Sequence, residues 1–249
     1  MTLFKATTWT RAALFAVPLF AAQVAVTQLQ TDVGLSPLSS AFAAEKKEKS
    51  QEATRRTPAL RNSVYEKLSE AQVAAEAKDL ATAKQILDEM IATDGKKSLN
   101  SYELANVYNL YAFIQYSRED YAGALRSYEQ VVAQPDIPLA MEINTRFTIA
   151  QLYFVQEQWQ KGINALIKWF EMTDTPNANA YVLLAQGYYQ VKDYDKSLVN
   201  VQKAISMSEE AGKVPREQWY NLARYLYFEK NDTNNTVVVL EQLLKHYPK

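Results

Sequence analysis

Arg118-Glu-Asp-Tyr-Ala-Gly-Ala-Leu-Arg-Ser-Tyr128 joins a turn dipeptide, Asp120-Tyr121, to a small residue at Ala124 and a large one at Tyr128. The same frame returns at Asp79-Leu80, Gln158-Trp159, Asp193-Tyr194 and Asp232-Thr233. Three residues after each dipeptide stands Ala83, Ala124, Gly162, Ser197 or Thr236. Four further on, the space-filling side chain is Leu87, Tyr128, Leu166, Val201 or Leu240. Nine residues before the second turn residue the chain places Ala71, Ala112, Ala150, Ala185 and Arg224, so four of the five are small. The units follow one another at 41, 38, 35 and 39 residues.

Two antiparallel helices explain this frame. A small residue on each helix lets the backbones approach at the crossing, and a larger one a turn along fills the gap. The Asp caps the second helix, and the aromatic beside it closes over the hairpin. A helix pair that recurs at this period resembles the tetratricopeptide repeat, whose unit is about 34 residues and here carries a few extra loop residues. The resemblance covers about residues 61–249 and implies an all-α, right-handed alpha-alpha superhelix of about five helix pairs. The expected units are 61–92, 102–133, 139–172, 178–210 and 216–247. Each loop between them holds Pro or Gly where a helix must stop, as in Gln134-Pro-Asp-Ile-Pro138.

Composition narrows the function classes. A net charge of −1 offers no basic face for nucleic-acid phosphates. The chain has no Cys, which excludes thiol catalysis and a disulfide framework and leaves an oxidising compartment permissible. Its single histidine, His246, falls in the last turn of the last expected helix, where a partner for the helix C-terminus is the ordinary reading. No Gly-rich phosphate loop, His/Cys metal spacing or Asp-x-Asp calcium loop is present. The chain therefore reads as a non-enzymatic protein with no cofactor, no metal and no small-molecule substrate.

The N-terminus reads as an export signal over residues 1–43. Lys5 and Arg11 precede the apolar stretch Ala12 to Val26, and Ala41-Phe42-Ala43 forms an A-x-A cleavage site. The apolar stretch is short for a bilayer span, which takes about 20 residues. Periplasmic residence after cleavage near Ala43 is the expectation, with an uncleaved anchor in the inner membrane as the alternative. Residues 44–60 are rich in Lys, Glu and Arg and read as a flexible charged tether.

The first helix of each pair, the A helix, lines the groove of such an array. Its outward positions begin with Asn106, Asn144, Asn179 and Gln218, and ten residues on stand Tyr116, Phe154, Tyr189 and Phe228. Between them lie Asn109, Phe113, Phe147 and Gln151, then Val182, Gln186, Asn221 and Tyr225. Side-chain amides beside aromatic rings suit an extended peptide, because amides pair with its backbone and rings receive its side chains. The alternative is that the rings only pack on neighbouring helices. Lys and Arg are absent from these positions, so a clamp for an acidic C-terminus is not expected.

Several loop and turn strings resemble a narrower group. Leu99-Asn-Ser-Tyr-Glu103, Gln134-Pro-Asp-Ile-Pro138, Ala180-Tyr-Val-Leu-Leu-Ala-Gln186 with Tyr188-Tyr189, and Gly212-Lys-Val-Pro215 before Trp219 carry this likeness. They are similar to the periplasmic tetratricopeptide proteins encoded beside TonB/ExbB/ExbD energy-transduction systems. The resemblance implies an exported scaffold accessory to TonB-dependent transport, with a protein or peptide partner such as a TonB-type transducer component. A scaffold for envelope, outer-membrane or cell-wall assembly, or a regulatory subunit of a periplasmic enzyme, is the alternative. Val238, Leu240, Leu243 and Leu244 give the last helix an apolar face without a polar cap, so the expectation is that a partner or a second copy of the chain covers it, or that the sequence is the front part of a longer array.

Overall fold

The computed structural model describes residues 58–93 and 98–248. The export signal expected over residues 1–43 and nearly all of the tether over 44–60 lie outside the described residues. Ten helices pair into five hairpins. These are α1 (Asn62–Glu76) with α2 (Leu80–Ile91), α3 (Ser101–Ser117) with α4 (Tyr121–Ala133), and α5 (Leu139–Val155) with α6 (Trp159–Met172). The series continues with α7 (Ala178–Gln190) and α8 (Tyr194–Glu210), then α9 (Glu217–Glu229) and α10 (Thr233–His246). Among the described residues there is no strand. Each helix packs on its neighbours in sequence, and α1 also meets α3. The all-α helix-pair solenoid expected from the repeat is therefore the observed architecture.

Hairpin geometry follows from local chemistry. Asp79, Asp120, Asp193 and Asp232 each accept a hydrogen bond from the backbone N–H three residues on, which caps α2, α4, α8 and α10. Side-chain hydrogen bonds from Thr82, Lys196 and Asn235, and after them these backbone bonds, hold the Asp79, Asp193 and Asp232 carboxyls below the usual carboxylate range. Gln158 gives α6 no such cap. One residue earlier, Lys78, Glu119, Glu157, Lys192 and Asn231 all have φ between 56° and 66°. This left-handed residue lets the next N–H turn back to a carbonyl five residues earlier, as in Asp120 N–H to Gln115 O and Asp193 N–H to Tyr188 O, both 2.9 Å. Each hairpin is a helix stop built on a non-glycine residue, followed at once by a helix start.

At the crossings Ala71, Ala83, Ala112, Ala124, Ala150, Ala185 and Ser197 are fully buried. The Ser197 hydroxyl donates to the Ala185 carbonyl at 2.8 Å, so a polar residue serves at this contact once its hydrogen bond is made. The space-filling positions Leu87, Leu166 and Val201 have no exposure. The fifth unit departs from the pattern: Arg224 and Thr236 are partly exposed and Leu240 is 40% exposed. Leu240 thus does not fill the core as the frame predicts: among the described residues no helix packs on it from beyond α10.

Units are tied to one another by polar struts. Asn100 and Glu103 form a capping box at the start of α3. The same Glu103 carboxylate, fully buried, takes the Arg61 guanidinium from the start of α1 at 2.6 Å. That pairing, with the Asn100 and Arg61 backbone N–H groups, holds the Glu103 carboxyl below its ordinary range against the opposing effect of burial. Further along, the Tyr153 hydroxyl donates to Glu129 and the Tyr220 hydroxyl to Glu209, each at 3.0 Å. The Tyr111 hydroxyl donates to Asp88 in the same way.

Candidate functional site: the exposed face of the A helices

The candidate positions form four columns along the A helices, spaced so that they share one helical stripe. The first column is the most exposed. Asn144, Asn179 and Gln218 are exposed, and Asn106 is half-buried with its side-chain amide donating to the Tyr102 carbonyl at 2.7 Å. Tyr65 occupies the same position in α1 and is 53% exposed. It is missing from the sequence-based set although it lies 41 residues before Asn106, the same step that separates the first two turns. The repeat spacing was the signal that could have found it.

In the second column Asn109 is exposed, Asn221 is half-buried and Phe147 is half-buried against Trp169, ring to ring at 4.7 Å. Val182 in this column is buried. The third column holds half-buried Phe113 and Gln151, exposed Gln186 and Tyr225, the last 36% accessible. Phe113 packs on the apolar cluster that joins α1, α2 and α3.

The fourth column corrects the expected aromatic stripe. Phe154 is only 2% exposed. Its ring lies over two glycines, and a Cβ at Gly162 or at Gly187 would come within 2.9 Å or 2.6 Å of it. Phe154 therefore fills the junction of α5, α6 and α7 and is no groove residue. Tyr116 is half-buried among Ala124, Leu125, Ile149 and Leu152, and this burial raises its phenol pKa. The physical reason is shared by three units: each ring packs on the aromatic that opens the next helix. Tyr116 meets Tyr121 at 5.4 Å, Phe154 meets Trp159 at 6.2 Å and Tyr189 meets Tyr194 at 5.9 Å. Unit five has Thr233 in place of that second ring, and Phe228 is left 67% exposed.

The structure thus brings together a different set from a continuous aromatic stripe. Exposed amides run along the middle units, and exposed rings gather at the C-terminal end, on α9. Tyr225 stacks edge-on against Tyr189 at 5.6 Å. Burial, followed by hydrogen bonds to Glu229 and Tyr189, raises the Tyr225 phenol above its ordinary pKa.

On the other side of the hairpins, an open cleft of about 320 Å³ lies between α4, α5 and α6, lined by Arg146, Lys161, Lys168, Glu129 and Tyr153 among others. Arg146 is paired with Glu142 at 2.7 Å, Lys161 sits over the Tyr153 ring, and the Tyr153 hydroxyl bonds Glu129. These groups largely satisfy one another. Among the described residues no group of three or more His, Cys, Asp or Glu side chains is placed to hold a metal. No helix among them is long and apolar enough to cross a membrane.

No protein-family model matches the chain, and no curated protein matches it. Solved structures share its fold. YrrB, described as a tetratricopeptide repeat protein with an unusual peptide-binding site, superposes with a TM-score of 0.58 at 13% identity, covering 85% of this chain and 95% of YrrB. MamA from Desulfovibrio magneticus gives 0.56 at 14% identity, over 75% of this chain and 94% of MamA. The apo form of RapI gives 0.56 at 11% identity, over 73% of this chain and 69% of RapI. At these identities the likeness is one of fold: the chain is a tetratricopeptide-like helical solenoid.

Proposed function

We propose that the protein is a non-enzymatic scaffold that holds an extended segment of a protein partner along the A-helix face. The observation that carries this reading is the run of exposed amides at Asn109, Asn144, Asn179 and Gln186, ending at the exposed rings of Tyr225 and Phe228. Amides offer both donors and acceptors to a peptide backbone without fixing its sequence. An exposed ring beside them supplies an apolar anchor of the kind that dominates binding energy. YrrB, which shares the fold, is named for a peptide-binding site.

The setting we propose is the periplasm, after removal of residues 1–43, with a TonB-type transducer component as the partner. The support for this is the N-terminal signal pattern and the loop strings that resemble the TonB-associated group. A role in envelope or cell-wall assembly is the second setting that the signal pattern allows.

The test is an affinity pull-down from a periplasmic extract with the chain from residue 44, beside a Tyr225→Ala/Phe228→Ala bait. Recovery of TonB-system components by the wild type alone is the expected result. Equal recovery by both baits would move the interface off this face. Recovery of cell-wall or outer-membrane assembly factors by the wild type alone would keep the groove and replace the setting.

A further inference from the structure

The cleft between α4, α5 and α6 departs from the equivalent places in the other hairpins at residues that open it and charge it. Arg146 stands thirteen residues before the second turn residue, Trp159, where three other units carry Tyr108, Tyr181 and Tyr220. Ile149 stands where the preceding unit has Tyr111, whose hydroxyl reaches back to Asp88 across the corresponding junction. Ala165 takes the place of Ile86 in α2 and Val239 in α10. The smaller side chains leave open volume, and Val132, Ile149 and Ala165 form a more buried apolar floor beneath exposed charged walls.

The two ends of this cleft are not alike. Because α5 and α6 run antiparallel from the turn at Glu157, Tyr153 and Lys161 lie at the turn end, and Arg146 and Lys168 lie at the other. The turn end is closed on itself: Lys161 sits over the Tyr153 ring, and the Tyr153 hydroxyl donates to Glu129, the one carboxylate in the lining. At the other end Arg146 gives Nε and Nη2 to a single oxygen of Glu142, which uses two of the five N–H groups of a guanidinium. Lys168 is exposed and has no ion pair among the described residues. Lys203 holds the equivalent position of α8 and is likewise exposed and unpaired among them.

We propose that this cleft is a second binding site, for an acidic segment of a protein partner whose carboxylates alternate with apolar side chains. A carboxylate of the segment meets Arg146 and Lys168 in charge-assisted hydrogen bonds, and its apolar neighbour drops onto Val132, Ile149 and Ala165. Charge complementarity sets the sign of the ligand, since three cations of the lining stand against one carboxylate that is already engaged. Shape and floor set its class. A nucleic-acid strand needs phosphate contacts along its length and rings to stack on, and Lys161 covers the one ring here, Tyr153. A bilayer surface is flat at this scale and would touch the rim lysines without entering between the helices. A single small anion would leave the aliphatic floor and Lys203 unused, whereas an extended segment reaches both. The site lies in the middle hairpins, each with a neighbour on both sides. It shares no residue with the amide columns or with Tyr225 and Phe228, so it stands or falls separately from the groove.

Fluorescence anisotropy of the full chain with a short labelled peptide that alternates glutamate and leucine tests the site. The expected result is saturable binding that weakens as salt is raised. Peptides alternating glutamate with serine, or lysine with leucine, should bind about tenfold more weakly or worse. Lys168→Glu should weaken the glutamate–leucine peptide by about tenfold or more, and Lys203→Glu by about threefold or more, at unchanged helical circular dichroism. Ala165→Ile, which gives α6 the side chain that α2 carries as Ile86, should remove the preference for leucine over serine. Lys78→Glu, the same change of charge in the first hairpin, should leave binding unchanged, as should Tyr225→Ala/Phe228→Ala. Absence of saturable binding, unchanged affinity in Lys168→Glu, or an equal loss in Lys78→Glu would each overturn the proposal. Loss of binding in Tyr225→Ala/Phe228→Ala would overturn it in favour of the groove. Phosphatidylglycerol vesicles or inorganic phosphate bound in place of the peptide would overturn it in favour of a simpler anion site.

Discussion

Glu157 and Lys192 show how single residues carry the fold at some cost. Both sit at a left-handed φ, 58° and 62°, in the turn that ends an A helix. For an L-residue that conformation costs about 1–2 kcal/mol, and glycine takes it freely. Glycine also gains freedom in the unfolded chain, which offsets part of the benefit. Glu157→Gly and Lys192→Gly are therefore expected to stabilise by about 0.5–1 kcal/mol each, seen as a raised urea midpoint at constant slope. Asn231→Gly should gain less, because Asn already tolerates this region. Unchanged or lowered midpoints at all three sites would show that the side chains contribute more than their backbone costs. None of this was legible as strain in the sequence. Lys, Glu and Asn before the turn read as ordinary solvent-facing residues, and the sign of φ appears only once the hairpin closes.

The α5–α6–α7 junction shows what helices impose on each other. Phe154 fits because Gly162 and Gly187 present no side chain to its ring. Gly187→Ala should place a Cβ within 2.6 Å of that ring and 2.9 Å of Ile163, destabilising by about 1–3 kcal/mol. Phe154→Leu in the same chain should recover part of the loss, so the double variant is less destabilised than the sum of the singles. Strict additivity in thermal or urea unfolding would mean that the two residues do not share the space. Gly162 was recognisable from the repeat frame as a crossing residue. Gly187 and the fate of Phe154 were not, since an aromatic at a helix position spaced like Tyr116 and Phe228 gives no local sign of which side will be covered. The partner ring at the start of the next helix makes the difference, and Trp159 and Thr233 fall on opposite sides of it.

A solenoid has no single core, and its stability is a sum of unit and neighbour contributions. Along this molecule those contributions are uneven. In α3, α5 and α7 at least five residues are buried, whereas α10 buries Val239 alone. Exposed large apolar side chains also gather toward the C-terminal end, at Val191, Val199, Val214, Tyr225 and Phe228 and on α10. α10 should therefore open first. Native-state hydrogen exchange is expected to show α10 amides exchanging far faster than those of α5 and α7. Uniform protection across the five hairpins would instead indicate one cooperative unit.

The amino-acid order sets the hairpin and its repetition, because the chemistry involved is local. An Asp caps the N–H groups three residues away, small residues recur at the crossing, and Pro or Gly ends each unit within a few residues of the chain. The five pairs and the columns of candidate residues follow from that spacing alone. Exposure within those columns is a property of neighbours distant in sequence. Phe154 is buried against Gly187, 33 residues on, whereas Phe228, at the equivalent position, is left exposed where Thr233 replaces the ring that opens the next helix. Burial depends on what packs across the crossing, so the amides and rings left on the surface were settled only when the helices stacked.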